Sequence, residues 1–166
     1  VQQQCCGPLQ LPVSNVSAIA QSHFSLSGAA TSIGEQPIKM LVDVKAGARM
    51  ALGESLTNMV WAKISSIRNI KSSLNWMWPA KLENEGAELY QAAIAIRELM
   101  IQTGVAVDGG KDSLSMAAKV KDEIVKSPGQ MVVSAYVDLP DIRKIITPDI
   151  KKPGESNLMF IDLADG

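Results

Sequence analysis

The first 34 residues contain no Asp, Glu, Lys or Arg, and all 16 basic and 17 acidic side chains lie at or after Glu35. Gln, Ser, Asn and Thr interrupt the apolar positions of that stretch throughout, so it is neither a solvated charged face nor a membrane segment. A segment that is neither charged nor greasy has to lie against something: a neighbouring strand, another domain, or a ligand met through the backbone. A central or interface strand is the expected state, and a ligand-facing segment is compatible with it.

The 166 residues suit one domain, or one domain and the start of a second, with 46% hydrophobic and 20% charged residues sufficient for a packed core. A formal net charge of −1 argues against nucleic acid or an anionic membrane surface as partner. No run approaches the roughly 18 apolar residues of a membrane span, and nothing basic precedes the first apolar stretch, as a secretory leader requires. Cys5 and Cys6 are adjacent, a poor geometry for a disulfide, and His23 is the only histidine, which leaves too few ligands for zinc. A reduced, cytoplasmic setting is expected, and no second feature supports a catalytic cysteine.

Pro and Gly break the chain at Gly7-Pro8, Gly34-Glu35-Gln36-Pro37, Ser127-Pro128-Gly129 and Leu139-Pro140. The densest break, Thr147-Pro148-Asp149-Ile150-Lys151-Lys152-Pro153-Gly154, reads as an interdomain linker. Residues 1–146 are then one domain, 147–156 the linker, and 157–166 the opening of a following domain, with Asn157 to Leu163 as its first strand. The start at Val1 and that cut-off strand suggest truncation at both ends. Between the breaks, Val13 to Ser22 reads as a strand of small residues. Asp43 is placed to cap a helix reaching about Lys63, with Val44, Ala48, Leu52, Leu56 and Met59 as its apolar stripe. Ile64 to Trp76 contains a strand. A second helix is predicted over Glu85 to Thr103, burying Leu89, Ala93, Ile96 and Met100, with Gly104 as its left-handed stop. Short strands follow near Val105–Val107, Leu114–Val120 and Met131–Leu139. Helices alternating with strands predict an α/β or α+β sandwich.

The first helix carries the clearest chemistry. Stepping about 100° per residue from Leu52 puts Gly47, Glu54, Asn58 and Trp61 on the side opposite the core. Glu54 and Asn58 are four apart, so their oxygens can converge. A carboxylate and a carboxamide are hard donors suited to magnesium that keeps waters and nucleotide phosphates; solvated side chains would show the same spacing. Gly47 costs a helix about 1 kcal/mol, and its missing side chain would leave room for a ligand. The run Gly109-Gly110-Lys111-Asp112-Ser113-Leu114-Ser115-Met116 is either a turn feeding a strand or a phosphate or substrate loop. It has neither P-loop nor dinucleotide spacing. Asn75-Trp76-Met77-Trp78-Pro79 reads as core or interface rather than a base-stacking platform.

Taken together, Gln2-Gln3-Gln4-Cys5 with Gly7-Pro8-Leu9-Gln10, Gly34-Glu35-Gln36-Pro37, Gly53-Glu54-Ser55-Leu56-Thr57-Asn58, Asn75-Trp76-Met77 and the Gly109–Met116 run resemble phosphoribosylformylglycinamidine synthase of the large single-chain type. The resemblance extends over essentially all 166 residues. It implies an ATP-dependent ligase of purine synthesis that converts formylglycinamide ribonucleotide, glutamine and ATP to formylglycinamidine ribonucleotide, glutamate, ADP and phosphate. It also implies a chain that is the first domain of the second of two copies resembling aminoimidazole ribonucleotide synthetase, without its opening strand. The fold implied is a mixed sheet with helices on one face, and the implied partners are the first synthetase copy and a separate glutaminase domain.

By the same resemblance, Glu54 and Asn58 match two magnesium ligands, Ser14 matches a nucleotide-contacting position, and Asn15 stands where a third ligand is usually Asp. Asn keeps the oxygen donor and loses the charge. The implied site is an auxiliary magnesium–ATP/ADP site rather than the turnover site, and the glutaminase nucleophile and the catalytic histidine lie outside this chain, so the segment alone is expected to be inactive. Another ATP-using relative, such as aminoimidazole ribonucleotide synthetase or selenophosphate synthetase, lacks the Gln-Gln-Cys and Asn-Trp-Met set. The reading from a different class is a non-catalytic packing domain, which Asn15 favours.

Overall fold

In the computed structural model, which describes residues 14–162, five strands form one sheet in the spatial order β1-β2-β7-β3-β4. The chain runs through β1 (Val16–Ala20), β2 (Gly28–Glu35), the one-turn helix α1 (Pro37–Met40) and α2 (Val44–Met59), then β3 (Lys71–Met77), α3 (Glu85–Thr103) and β4 (Ala106–Ser113). The hairpin β5 (Ala117–Val120) and β6 (Glu123–Lys126) stands apart as its own two-stranded sheet before β7 (Gln130–Leu139) closes the centre of the main one. Among the described residues only β3 and β4 pair in parallel, and α3 is the crossover that such a pairing requires. The result is an α/β arrangement, as the alternation of helices and strands predicts, built on the mixed sheet that the resemblance implies.

Alternation explains the core. In β7, Met131, Val133, Ala135, Val137 and Leu139 are buried while the residues between them are not. In β2 the same face is made of Gly28, Ala30, Ser32 and Gly34, all small, and α2 lies on it. Gly34 makes that approach possible: a Cβ there would stand 2.1 Å from the Ala51 carbonyl oxygen and 2.6 Å from the Ser55 nitrogen. The Ser32 hydroxyl donates to the Ser55 carbonyl oxygen at 2.7 Å, tying strand to helix. Buried Ala48, Ala51, Leu52 and Met59 of α2, with Ala92, Ile96 and Met100 of α3, complete the core. Thr31, Ile33 and Glu35, on the opposite face of β2, are exposed.

Several expectations change. β2 was not delimited from sequence, although it falls in the uncharged stretch expected to hold a central or interface strand; its Gly-Ala-Ala-Thr-Ser run has low strand propensity and is held by pairing with β1 on one side and β7 on the other. The first long helix ends at Met59 rather than Lys63, because the following residues are drawn into a bridge. Ala62 pairs with Ile145, the Lys63 amide donates to the Lys144 carbonyl, and the Ile146 amide to the Trp61 carbonyl. The strand expected over Leu114–Val120 is the first arm of a hairpin whose second arm, β6, was missed. Residues 157–162 form no strand, so the expected opening strand of a following domain is not seen among the described residues. Cys5, Cys6 and the Gln2–Gln10 motif lie outside the described residues. No helix among the described residues is long and apolar enough to cross a membrane.

Candidate functional site

The site predicted on the first helix is built from the outer side of α2 and the end of β2. Asp43 starts the helix as an N-cap, its carboxylate accepting from the amides of Lys45 and Ala46 at 2.8 and 2.9 Å. These bonds, the Ala46 one foremost, hold its pKa below the ordinary value. Glu54, three turns on, reaches over the last residues of β2: its Oε2 accepts from the Glu35 amide at 2.8 Å and from Gln36 Nε2 at 2.9 Å. One turn further, Asn58 Nδ2 donates to the Ile33 carbonyl oxygen at 2.9 Å. Each side chain therefore uses one polar atom to fasten the strand end and keeps one oxygen free, Oε1 of Glu54 and Oδ1 of Asn58, neither of which has a hydrogen-bond partner among the described residues.

Gly47 does not belong to this face. It is buried beneath α1, and a Cβ there would meet Met40 Cγ at 2.5 Å and the Met40 nitrogen at 2.9 Å. The missing side chain accommodates a neighbouring helix turn, not a ligand. Trp61 lies past the end of the helix and half-exposed at 46%.

Ser14 and Asn15 sit at the entrance to β1, on the same end of the sheet. The Ser14 hydroxyl donates to the Val16 carbonyl oxygen at 2.8 Å, and Asn15 is exposed. Val16 pairs with Ser32, so Asn15 stands one position beyond the ladder, level with Ile33, whose carbonyl Asn58 holds. Ser14 and Asn15 also line a cleft of about 540 Å³ with Trp61 and the segment from Ile146 to Lys151. Inside that segment Thr147 and Lys151 both hydrogen-bond Asp149, which lowers the Asp149 pKa, the Lys151 contact contributing most.

Gly109, Gly110, Lys111 and Asp112 are placed elsewhere. They form part of β4, the far edge of the sheet, about three strand spacings or roughly 14 Å from β2. Gly109 to Ser113 are strand residues rather than a turn or loop, and Leu114 to Met116 follow them without regular structure. A Cβ on Gly110 would stand 2.5 Å from the Leu74 carbonyl oxygen, and Lys111 Nζ donates to the Ser113 hydroxyl at 2.6 Å. The glycines answer to strand pairing across a register shift between Ser72 and Ser73, so the structure does not bring this run to Glu54 and Asn58. Gln36, by contrast, contacts Glu54 and was not predicted; its only signal was membership of the Gly34–Pro37 motif.

The FGAR-AT PurM_N-like domain family matches residues 1–138. A probable phosphoribosylformylglycinamidine synthase of Arabidopsis thaliana, described as chloroplastic/mitochondrial, is 56% identical over 99% of this chain and 12% of its own length. The phosphoribosylformylglycinamidine synthase of Homo sapiens is 53% identical over the same shares, so the chain spans about an eighth of these relatives. Among solved structures, Thermotoga maritima PurL complexed with ADP superposes with a TM-score of 0.63 at 17% identity, covering 81% of this chain and 21% of that one. Thiamine monophosphate kinase of Aquifex aeolicus gives 0.52 at 12% identity, over 80% and 40%. At such identities the two structures speak for the fold alone. The family match and the identities above 50% are what assign the chain: it belongs to the FGAR-AT PurM_N-like domain family, in the form carried by phosphoribosylformylglycinamidine synthases.

Proposed function

We propose that this chain is a segment of the glutamine-dependent ligase that makes formylglycinamidine ribonucleotide, working with a first synthetase copy and a glutaminase domain elsewhere in the polypeptide. In it the segment supplies scaffold and an auxiliary magnesium–nucleotide site on Glu54, Asn58, Asn15 and Ser14, with residues 1–146 as its domain and 147–156 leading to the next. A cytoplasmic setting accompanies this reading. The observation that carries the site is the pair of free oxygens, Glu54 Oε1 and Asn58 Oδ1, on side chains whose other atoms are already fixed to β2. Fixed side chains lose little freedom on taking a ligand, and one charged and two neutral hard donors suit a magnesium ion that shares its remaining positions with waters and phosphate oxygens.

The ion would supply charge neutralisation for the phosphates. What the chain's own residues do is orient: α2 sets the spacing of Glu54 and Asn58, Gly34 sets the helix against the strand, and the β1–β2 register brings Asn15 level with Ile33. Gln36 restrains Glu54 in the conformation that leaves Oε1 outward.

The test is nucleotide content. The complete polypeptide, dialysed at length, denatured and analysed by chromatography, is expected to release about one ADP or ATP per chain. Glu54→Gln keeps an oxygen that accepts from the Glu35 amide but loses the charge, so it should retain stability and lose nucleotide. Glu54→Gln with nucleotide content unchanged would remove Glu54 from the site. A second reading, a packing domain that holds no nucleotide, is favoured by Asn15 in place of an acid and by the strand-fastening role of Glu54 Oε2. It predicts no nucleotide in a protein that still makes product.

A further inference from the structure

Gln36 joins Glu54 to a cation. Its Nε2 donates to Glu54 Oε2 at 2.9 Å, and its Oε1 accepts from Lys39 Nζ at 2.9 Å. An ammonium only donates and a carboxylate only accepts, so a single orientation of the carboxamide between them serves both. Lys39 therefore decides which end of Gln36 faces Glu54. The Gln36 side chain has no competing duty in the helix beside it. It stands at the N-cap of α1 but makes no capping bond, and Pro37 opens that helix without needing one. What serves the helix is the Gln36 main-chain carbonyl, which accepts from the Met40 amide at 3.0 Å.

The consequence falls on one oxygen. Glu54 Oε2 accepts from the Glu35 amide as well as from Gln36, so both of its lone pairs are taken, while Oε1 has no partner among the described residues. Asn58, its Nδ2 spent on the Ile33 carbonyl, likewise has a single oxygen to offer. A cation that draws both oxygens from one carboxylate would have to break both bonds to Oε2, whereas a cation content with one oxygen breaks neither. Calcium has a large shell and often takes a carboxylate by both oxygens. Magnesium has a small octahedral shell and keeps several of its waters.

We propose that Gln36, oriented by Lys39, is a positioning residue that makes Glu54 a one-oxygen ligand and so selects magnesium over calcium. This rests on the magnesium–nucleotide reading of Glu54 and Asn58, and adds to it the residues that set the choice of cation. Both act through Glu54. Lys39 is exposed, so its share is the smaller.

The experiment uses the complete polypeptide, stripped of metal and dialysed with ADP against magnesium or calcium, its bound metal counted by mass spectrometry. The share of metal lost in Glu54→Gln belongs to this site. Gln36→Met keeps the length of the side chain and removes both of its hydrogen bonds. It is expected to raise the affinity of the site for calcium relative to magnesium by about fivefold or more, because one of the two bonds that guard Oε2 is gone. Lys39→Met should shift the ratio the same way by about twofold, and Lys39→Arg, which also donates, should restore it. Lying on the surface, the Lys39 variants carry the same test if Gln36→Met does not fold. An unchanged ratio would overturn the proposal, and so would an equal loss of both cations, since support of the fold alone weakens the two alike. The two readings fail differently: a Glu54→Gln protein that binds as much metal as the parent sinks the site and the selectivity with it, whereas metal lost there with no change of ratio at Gln36 or Lys39 sinks the selectivity alone.

Discussion

Replacing Gly34 by Ala tests whether the seat of the candidate site is a backbone-to-backbone contact. The added Cβ would meet the Ala51 carbonyl oxygen at 2.1 Å and the Ser55 nitrogen at 2.6 Å, both main-chain atoms of α2 that no rotamer change can move. Relief requires α2 and β2 to separate by roughly an ångström, which forfeits a quarter to a half of the dispersion energy along that contact. Overpacking of this kind costs about 1–3 kcal/mol. The same shift stretches the Ser32–Ser55 bond of 2.7 Å and the Glu35–Glu54 bond of 2.8 Å, adding about 1 kcal/mol. A loss of about 3 kcal/mol follows, or a drop of roughly 1.5–2 M in the urea midpoint at an m-value ordinary for this size. Gly53→Ala is the internal control. It lies within α2 with nothing inside 4 Å of its would-be Cβ, so it should stabilise the protein, by about 0.5–1 kcal/mol. Urea unfolding followed by far-UV circular dichroism reads both. Gly34→Ala within about 0.5 kcal/mol of the parent, the ordinary range for a surface change, would refute the close approach, and with it the account of how Glu54 reaches the end of β2.

Three further outcomes are expected. Asp43→Ala removes the cap that accepts from two amides and should lower the melting temperature by several degrees, while Asp43→Asn, which keeps an acceptor, should lower it less. Asp141, whose pKa is lowered to about 2 chiefly by its hydrogen bond from Arg143, contributes stability above its ordinary 3.8 that is lost as pH falls from there towards 2; Arg143→Ala should return the Asp141 titration, followed by carboxyl NMR, towards 3.8. Gly129→Ala would drive a Cβ to 2.4–2.6 Å from the Trp78 ring and break its bond to Glu85, so the near-ultraviolet tryptophan signal should change while far-ultraviolet helix content holds.

What was legible in the sequence divides along the range of the forces involved. Helix α3 runs from Glu85 to Thr103, as predicted, and Gly104 ends it at φ 76°, because periodicity and a left-handed stop are local signals. The Asp43 cap is local too. Strand β2 is the opposite case. Its Gly, Ala and Ser residues have little intrinsic preference for a strand, and their small size is selected by the helix lying on them and by partners 16 and about 100 residues away in the chain, as Val16 with Ser32 and Ile33 with Ser134 illustrate. Gly109 and Gly110 mislead for the same reason. Glycine signals close backbone approach without saying to what, and here the neighbour of Gly110 is the carbonyl of Leu74 on the adjacent strand.

The site shows the same division within single side chains. Helical spacing placed Glu54 and Asn58 together on one side of α2, but a wheel has no knowledge of what stands beside the helix. It assigned Gly47 to that side as well, whereas α1, a single turn too short to carry a period, folds Met40 over it. Nor could spacing show that each of the two side chains is divided in use. Glu54 gives Oε2 to the Glu35 amide and to Gln36, and Asn58 gives Nδ2 to the Ile33 carbonyl. That division bears on how any substitution there is to be interpreted. Glu54→Ala removes a strand fastening and a candidate ligand together, so a loss of stability or of nucleotide after it would be ambiguous. Glu54→Gln separates them, because a carboxamide oxygen still accepts from the Glu35 amide while the negative charge that a magnesium ion would require is gone.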